Sequence, residues 1–196
     1  ADDKENIEIF ENVNDSESEI TGLCVHEGIL YGLFGSDNPF ISKYDLQNNI
    51  SQPHSWNFDD PAAYLWGSKM AITQNQLVVA DIAHSRLTIY SLTGELIGYV
   101  DCPQICDSSW VCICVSPSNP DVIIVSDNNS SRVFAVNLTT GVVLWTNSDI
   151  SCRPQGIVSY GSEYVLVTIR STTTNIWILN VNTGKIMQNS VDSPLF

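Results

Sequence analysis

Gln76–Ile97 reads QLVVADIAHSRLTIYSLTGELI, and its pattern decides the fold. A β-branched apolar run, Leu77–Ala80, ends in Asp81; a polar turn follows; Arg86–Ser91 then alternates polar and apolar side chains up to Thr93-Gly94. Period-two alternation with β-branched and aromatic residues marks strands, and the Thr-Gly pair marks a tight turn. The pattern returns as Val122–Asp127, Arg132–Val136, Thr140-Gly141, and again as Val165–Arg170, Ile176–Leu179, Thr183-Gly184. A weaker copy runs Ile29–Gly35, Phe40–Tyr44, Asn48-Asn49. The anchor positions Tyr44, Tyr90, Val136 and Leu179 lie 46, 46 and 43 residues apart. Repeats of about 40–50 residues, each holding several short strands, are the mark of propeller blades.

Each copy divides into about four strands. The second copy gives Lys69–Thr73, Leu77–Ala80, Arg86–Ser91 and Glu95–Val100. The third gives Val111–Val115, Val122–Ser126, Arg132–Asn137 and Val142–Thr146, with a longer loop at Ser116–Asp121 carrying Pro117 and Pro120. The fourth gives Gly156–Ser159, Tyr164–Ile169, Asn175–Val181 and Lys185–Gln188. The first gives Gly22–His26, Ile29–Phe34, Phe40–Leu46 and a poor fourth strand around Ile50, weakened by Pro53. No stretch has the period of an amphipathic helix. The expectation is an all-β fold: a β-propeller of about four blades of four antiparallel strands, at about 20–58, 64–102, 108–147 and 152–190. It is either a small ring or part of a larger six-blade one. Residues 1–19 read as an acidic N-terminal segment with one strand at 6–10, placed to clasp the last blade. An open array would expose apolar blade faces and call for a partner, a second copy of the chain among them.

Bulk properties narrow the function. At 196 residues and 43% hydrophobic, the chain can bury a sizeable core. It has no apolar run near the ~18 residues a membrane helix needs. The net charge is −14, and residues 1–19 hold eight acids against Lys4. Such a chain repels phosphate backbones and anionic membranes, so nucleic acid and membrane are expected not to be its partners. Six cysteines lack the spacing of a disulfide scaffold, and Cys24, Cys112 and Cys114 fall inside apolar strand patterns. That favours a reduced, cytoplasmic protein; the sequons at Asn14, Asn49, Asn128, Asn129 and Asn137 support secretion as the alternative.

Gln76–Ile97 resembles an NHL repeat: an apolar strand ending in Asp, a polar turn, a small-Arg pair, an aromatic strand and a Gly turn. Asp121–Trp145 resembles it too, and CRPQGIV at Cys152–Val158 is similar to the Pro-x-Gly-Ile start of the repeat. The chain as a whole resembles the C-terminal propellers of tripartite-motif (TRIM) NHL proteins, and TTGVVLW also resembles quinoprotein-type propeller repeats. The resemblance implies a non-catalytic interaction module that recruits a protein target for ubiquitin transfer or, in some members, binds an RNA stem-loop. No RING, B-box or coiled coil accompanies it in this sequence, and the basic face of the RNA-binding members has few Lys and Arg to build it.

Individual residues sort into structural and functional candidates. Asp81 with Arg86, and Asp127 with Arg132, repeat one spacing across a turn, which favours a structural carboxylate–guanidinium pair over a ligand contact. The departures from that column carry more information. Gly35 and Arg170 stand in the Asp position, and Phe40 and Asn175 in the Arg position, so Phe40, Arg170 and Asn175 are candidate partner contacts. Trp66, Trp110 and Arg153 open the second, third and fourth copies, where propeller loops gather near the central channel, and Trp and Arg are the usual interface anchors. Packing between blades is the structural reading of both Trp residues, and Trp145 and Trp177 read as core. The three histidines, His26, His54 and His84, form no paired ligand motif, and Cys112-x-Cys114 with Cys102 and Cys106 reads as core more readily than as zinc ligands. No nucleophile elbow or phosphate loop is present. No metal, cofactor or catalytic residue is expected. The leading reading is protein or peptide binding through the loop face; a metal-dependent propeller lyase or hydrolase is the second and RNA binding the third.

Overall fold

In blades 2 and 3 the second strand is apolar on both sides because it is buried on both sides. Val78 and Ala80 pack toward the third sheet while Leu77 and Val79 pack toward the first. In the computed structural model, which describes residues 19–35, 40–48, 50–57, 69–105, 110–149, 153–170 and 175–189, four such sheets form a four-blade β-propeller. Blade 1 is β1 (Glu19–His26), β2 (Ile29–Gly35), β3 (Phe40–Asp45) and β4 (Ile50–Asn57). Blade 2 is β5 (Met70–Thr73), β6 (Gln76–Asp81), β7 (Arg86–Ser91) and β8 (Leu96–Asp101), followed by a single 3₁₀ turn at Pro103–Ile105. Blade 3 is β9 (Val111–Ser116), β10 (Asn119–Asp127), β11 (Arg132–Asn137) and β12 (Val143–Asn147). Blade 4 is β13 (Arg153–Tyr160), β14 (Tyr164–Arg170), β15 (Asn175–Asn180) and β16 (Ile186–Asn189). Every sheet is an antiparallel meander in chain order. The strand expected at 6–10 lies outside the described residues.

Three apolar clusters hold the blades together. Tyr31, Leu33, Ile41 and Trp56 of blade 1 meet Met70, Leu77, Val79 and Tyr90 of blade 2. Val78, Ala80, Leu87 and Ile89 meet Ile113, Ile123, Val125 and Phe134. Cys114, Val122, Ile124 and Ala135 meet Val165, Val167, Ile169 and Leu179. Among the described residues no such cluster joins blade 4 to blade 1. Burial of a full Leu, Ile or Phe side chain contributes about 1.5–3 kcal/mol, so these interfaces supply most of the stability of the array.

A second device ties consecutive blades. The turn glycines Gly94 and Gly184 have φ of +98° and +67°, and a Cβ on either would strike the Trp of the preceding blade: Trp56 at 2.7 Å for Gly94, Trp145 at 2.3 Å for Gly184. Trp145 Nε1 also donates to the Val181 carbonyl at 2.7 Å, and Asn147 Nδ2 donates to the Gly184 carbonyl at 2.6 Å. Glycine is thus required twice over, for the left-handed backbone and for the aromatic ring laid on it. Trp145 and Trp177 are partly buried against the blade 3–blade 4 cluster.

Two expectations about proline are corrected. β4 is a strand of eight residues with Pro53 inside it, because β4 is the outermost strand of its sheet and Pro53 falls where its register with β3 slips, between Gln52 and Trp56. Ser116–Asp121 is not a long loop: β9 and β10 form a hairpin across Pro117-Ser118, and Pro120 sits within β10 where the register with β9 slips between Asn119 and Ile123. β13 likewise starts at Arg153 rather than Gly156, and β1 at Glu19 rather than Gly22.

Candidate functional site: the upper rim and central cavity

In a meander whose first strand is innermost, one rim collects the starts of the first strands, the connections between second and third strands, and the ends of the fourth. This upper rim faces a cavity of about 380 Å³ lined by Ile20–Leu23, Lys69-Met70, Cys112-Ile113 and Gly156-Ile157, one segment from each blade. The lining mixes the aliphatic side chains of Ile20, Leu23, Ile113 and Ile157 with polar groups, and Lys69 is its one charged side chain. Lys69 Nζ donates to the Thr21 carbonyl and lies 5.8 Å from the centroid of the Trp110 ring. Trp110 precedes β9 and is 46% exposed, a large aromatic partly open to solvent beside Lys69 of the cavity lining.

The repeated Asp–Arg spacing is built as an internal ion pair. Arg86 Nε donates to Asp81 Oδ2 at 2.7 Å, and the same carboxylate takes the His84 N–H at 3.2 Å and the His84 ring at 3.0 Å. In blade 3, Arg132 Nε and Nη2 each reach Asp127 Oδ2 at 3.2 Å, the Ser130 N–H reaches Oδ1 at 3.2 Å, and Arg132 Nη2 also donates to the Gln104 carbonyl. Both carboxylates are fully buried. They satisfy turn N–H groups that have no ladder partner, and they hold the two guanidiniums away from solvent ligands.

Blade 4 breaks the column. Arg170 replaces the carboxylate, and the strand register sets it directly opposite Arg153. Both arginines are exposed, and neither has an ion-pair or hydrogen-bond partner among the described residues. The backbone beside them is fixed: Pro154 is buried and its carbonyl accepts from Asn128 Nδ2 at 3.1 Å. Phe40 and Asn175 also lie on this rim. Phe40 stacks on Phe34 with centroids 4.7 Å apart and planes 4° from parallel, so one of its faces is committed within blade 1. Asn175 opens β15 opposite Ile169, and its side chain lies outside the described residues, as does Trp66.

Among the described residues, His26 and Cys112 make hydrogen bonds between blades and the cysteines are largely buried. His26 Nε2 shares a hydrogen bond with Asn75 Oδ1 at 3.1 Å on the lower rim. Burial raises the Cys114 and Cys24 thiols to about 12 and the Cys102 thiol to about 11. Cys112 is also raised by burial, with Lys69 pulling the other way, and its thiol donates to the Gln155 carbonyl at 2.6 Å. Among the described residues no three His, Cys, Asp or Glu side chains gather as a metal would require; Cys106 lies outside them. Lys69 is the rim residue that sequence reasoning passed over. Its signal was its position at the start of a blade's first strand, where it read as one more strand residue.

No protein-family model and no curated protein matches the chain. Solved structures do. A chain of the mitotic checkpoint complex is 12% identical with a TM-score of 0.67, over 89% of this chain and 52% of that one. BamB from Moraxella catarrhalis is 16% identical with a TM-score of 0.59, over 85% and 46%. A catalytically inactive virginiamycin B lyase from Staphylococcus aureus, with quinupristin, is 14% identical with a TM-score of 0.68, over 90% and 57%. The chain spans about half the length of these structures, and at such identities the likeness is one of β-propeller fold alone.

Proposed function

We propose that this propeller is a non-catalytic interaction module that holds a protein or peptide across its upper rim, as the NHL propellers of tripartite-motif proteins do when they recruit targets for ubiquitin transfer. The observation that carries the reading is Trp110, 46% exposed beside the cavity, with Lys69, which lines that cavity, over its ring. A rigid aromatic beside a cation at the edge of a pocket is the composition of an interface anchor. Rigid blades display such residues without the entropy cost of ordering a loop on binding. The mitotic checkpoint complex, a protein assembly, supports a binding role for this fold; virginiamycin B lyase supplies the contrary example of an enzyme. The −14 charge opposes RNA as the ligand. For the outer face of blade 4, where Val158, Tyr160 and Met187 are each more than half exposed, the proposed partner is a second copy of the chain.

The test compares proteins cross-linked to the wild-type chain and to a Trp66→Ala/Trp110→Ala variant, quantified by mass spectrometry, with circular dichroism of each. Loss of partners with an unchanged spectrum is expected. Unfolding of the variant would assign the two rings to blade packing, and unchanged partners would reject the rim as the binding face. Stoichiometric calcium or zinc in the purified protein would replace this reading with the metal-dependent lyase or hydrolase.

A further inference from the structure

We infer that the cross-strand arginine pair Arg153–Arg170, with the cavity beside it, is a site for an acidic peptide segment: a carboxylate held by the two guanidiniums and a neighbouring aliphatic side chain set into the cavity. The inference rests on the rim being the binding face and adds the chemistry of what binds there. Like charges placed directly opposite on an antiparallel pair are unfavourable, so the arrangement stands out against its own repeat. Blades 2 and 3 solve the same position by putting Asp81 and Asp127 there and pairing them with Arg86 and Arg132. Blade 4 inverts the charge and supplies no partner for either arginine among the described residues.

The two side chains have the means to bind an anion. Two planar forks on adjacent strands offer bidentate N–H donors to a carboxylate, a geometry that a single ammonium lacks. The backbone beside Arg153 is held by the buried Pro154 and its bond from Asn128, so binding has to order the side chains and not that stretch of main chain. Gly156-Ile157, next along the same strand, line the cavity with Ile20, Met70 and Ile113. At about 380 Å³ the cavity is of a size to take apolar groups, and Lys69 lines it too, with Trp110 beside it. A nucleic-acid backbone would meet the same arginines in a chain of net charge −14, with Asp101 and Asp149 exposed on this rim. A short peptide with one or two acids next to an aliphatic residue avoids most of that repulsion.

The probe is a fluorescein-labelled hexapeptide that alternates two Glu with one Leu, and its control replaces each Glu by Gln. Anisotropy at low salt is expected to show the Glu peptide binding at least about tenfold more tightly than the Gln peptide, with the difference shrinking as salt rises. Arg153→Ala with Arg170→Ala should erase the difference, and Lys185→Ala, on the opposite rim, should leave it intact. Arg170→Asp puts at this position the residue that blades 2 and 3 carry and sets it against Arg153, so it is expected to abolish the preference without unfolding the chain. Equal binding of the two peptides would overturn the acidic specificity while leaving the rim as a peptide site. Binding of neither, together with partners unchanged by the Trp double substitution, would overturn both readings. Displacement of the Glu peptide by a structured RNA more effectively than by unlabelled peptide would assign the arginines to phosphate and overturn the proposal.

Discussion

Asp127 is buried to the last atom, yet it carries a charge, and only its partners make that tolerable: Arg132 at 3.2 Å and the Ser130 N–H at 3.2 Å. Removing one side of a buried pair leaves the other desolvated and unpaired. Asp127→Ala is therefore expected to destabilise the chain by about 3 kcal/mol, the low end of the range because Arg132 is 26% exposed. Urea unfolding measures it, and a loss under about 1 kcal/mol would mean that the pair behaves as a surface ion pair. A second residue-scale contrast lies in the turn glycines. Gly141 and Gly184 both have positive φ, but a Cβ at Gly141 would meet only Val100 at an ordinary 3.5 Å, whereas one at Gly184 would overlap Trp145 at 2.3 Å. Gly141→Ala should cost about 1–2 kcal/mol for the left-handed backbone alone, and Gly184→Ala should cost about 2 kcal/mol more for the displaced ring. Equal losses would show that Trp145 yields without cost. The Asp–Arg pairs were legible because a fixed spacing recurred in two repeats. The meeting of Trp145 with Gly184 was not, because each residue obeys its own strand or turn pattern and nothing local says that consecutive blades bring them together. For the candidate site, Arg170 was legible as a break in the Asp column and Arg153 as the start of a repeat. That they face each other required the strand register.

Elements were legible where alternation was strong and misjudged where proline interrupted it. In the sequence proline reads as a strand breaker at Pro53 and as a loop marker at Pro120, but its cost depends on whether the absent N–H faces a neighbour. Both prolines sit at a register slip, Pro53 on an edge strand besides, so the ladder loses little at either place. The same elements bury their thiols. Cys102 belongs to the blade 2–blade 3 cluster and Cys114 to the blade 3–blade 4 cluster. Burial raises them from the ordinary 9.0 to about 11 and about 12, and Cys24 also to about 12. Above pH 9 the unfolded chain releases thiol protons that the folded chain still holds. Stability is therefore undiminished below that pH and falls as pH rises toward the folded values, by about 1.4 kcal/mol per pH unit for each thiol. Thermal melts between pH 8 and pH 11 should show the decline, and Cys114→Val should make it shallower. A Cys114→Val profile parallel to wild type would show that this thiol ionises in the folded interface.

At the scale of the molecule, charge and exposed apolar surface pull in opposite directions. On blade 4, Val165, Val167 and Ile169 face blade 3, so the alternate residues of β14 and their cross-strand partners Val158 and Ile178 face outward. Val158 and Tyr160 are each 56% exposed and Met187 57%, and among the described residues no apolar cluster continues beyond this sheet. The apolar part of this face, below the Arg153–Arg170 pair, gains by meeting another apolar face. The −14 charge opposes that meeting between copies of the chain. Repulsion reaches about 30 Å at 0.01 M salt and about 3 Å at 1 M, whereas contact between apolar side chains is not screened. The chain is therefore expected to scatter light as a species of 21.6 kDa at low salt and as a heavier one at high salt. Val158→Glu, which places a charge in the middle of the outward face, should hold the mass at that of one chain throughout. A wild-type mass that does not change with salt, or a heavier species that survives Val158→Glu, would show that blade 4 meets no second copy through this face.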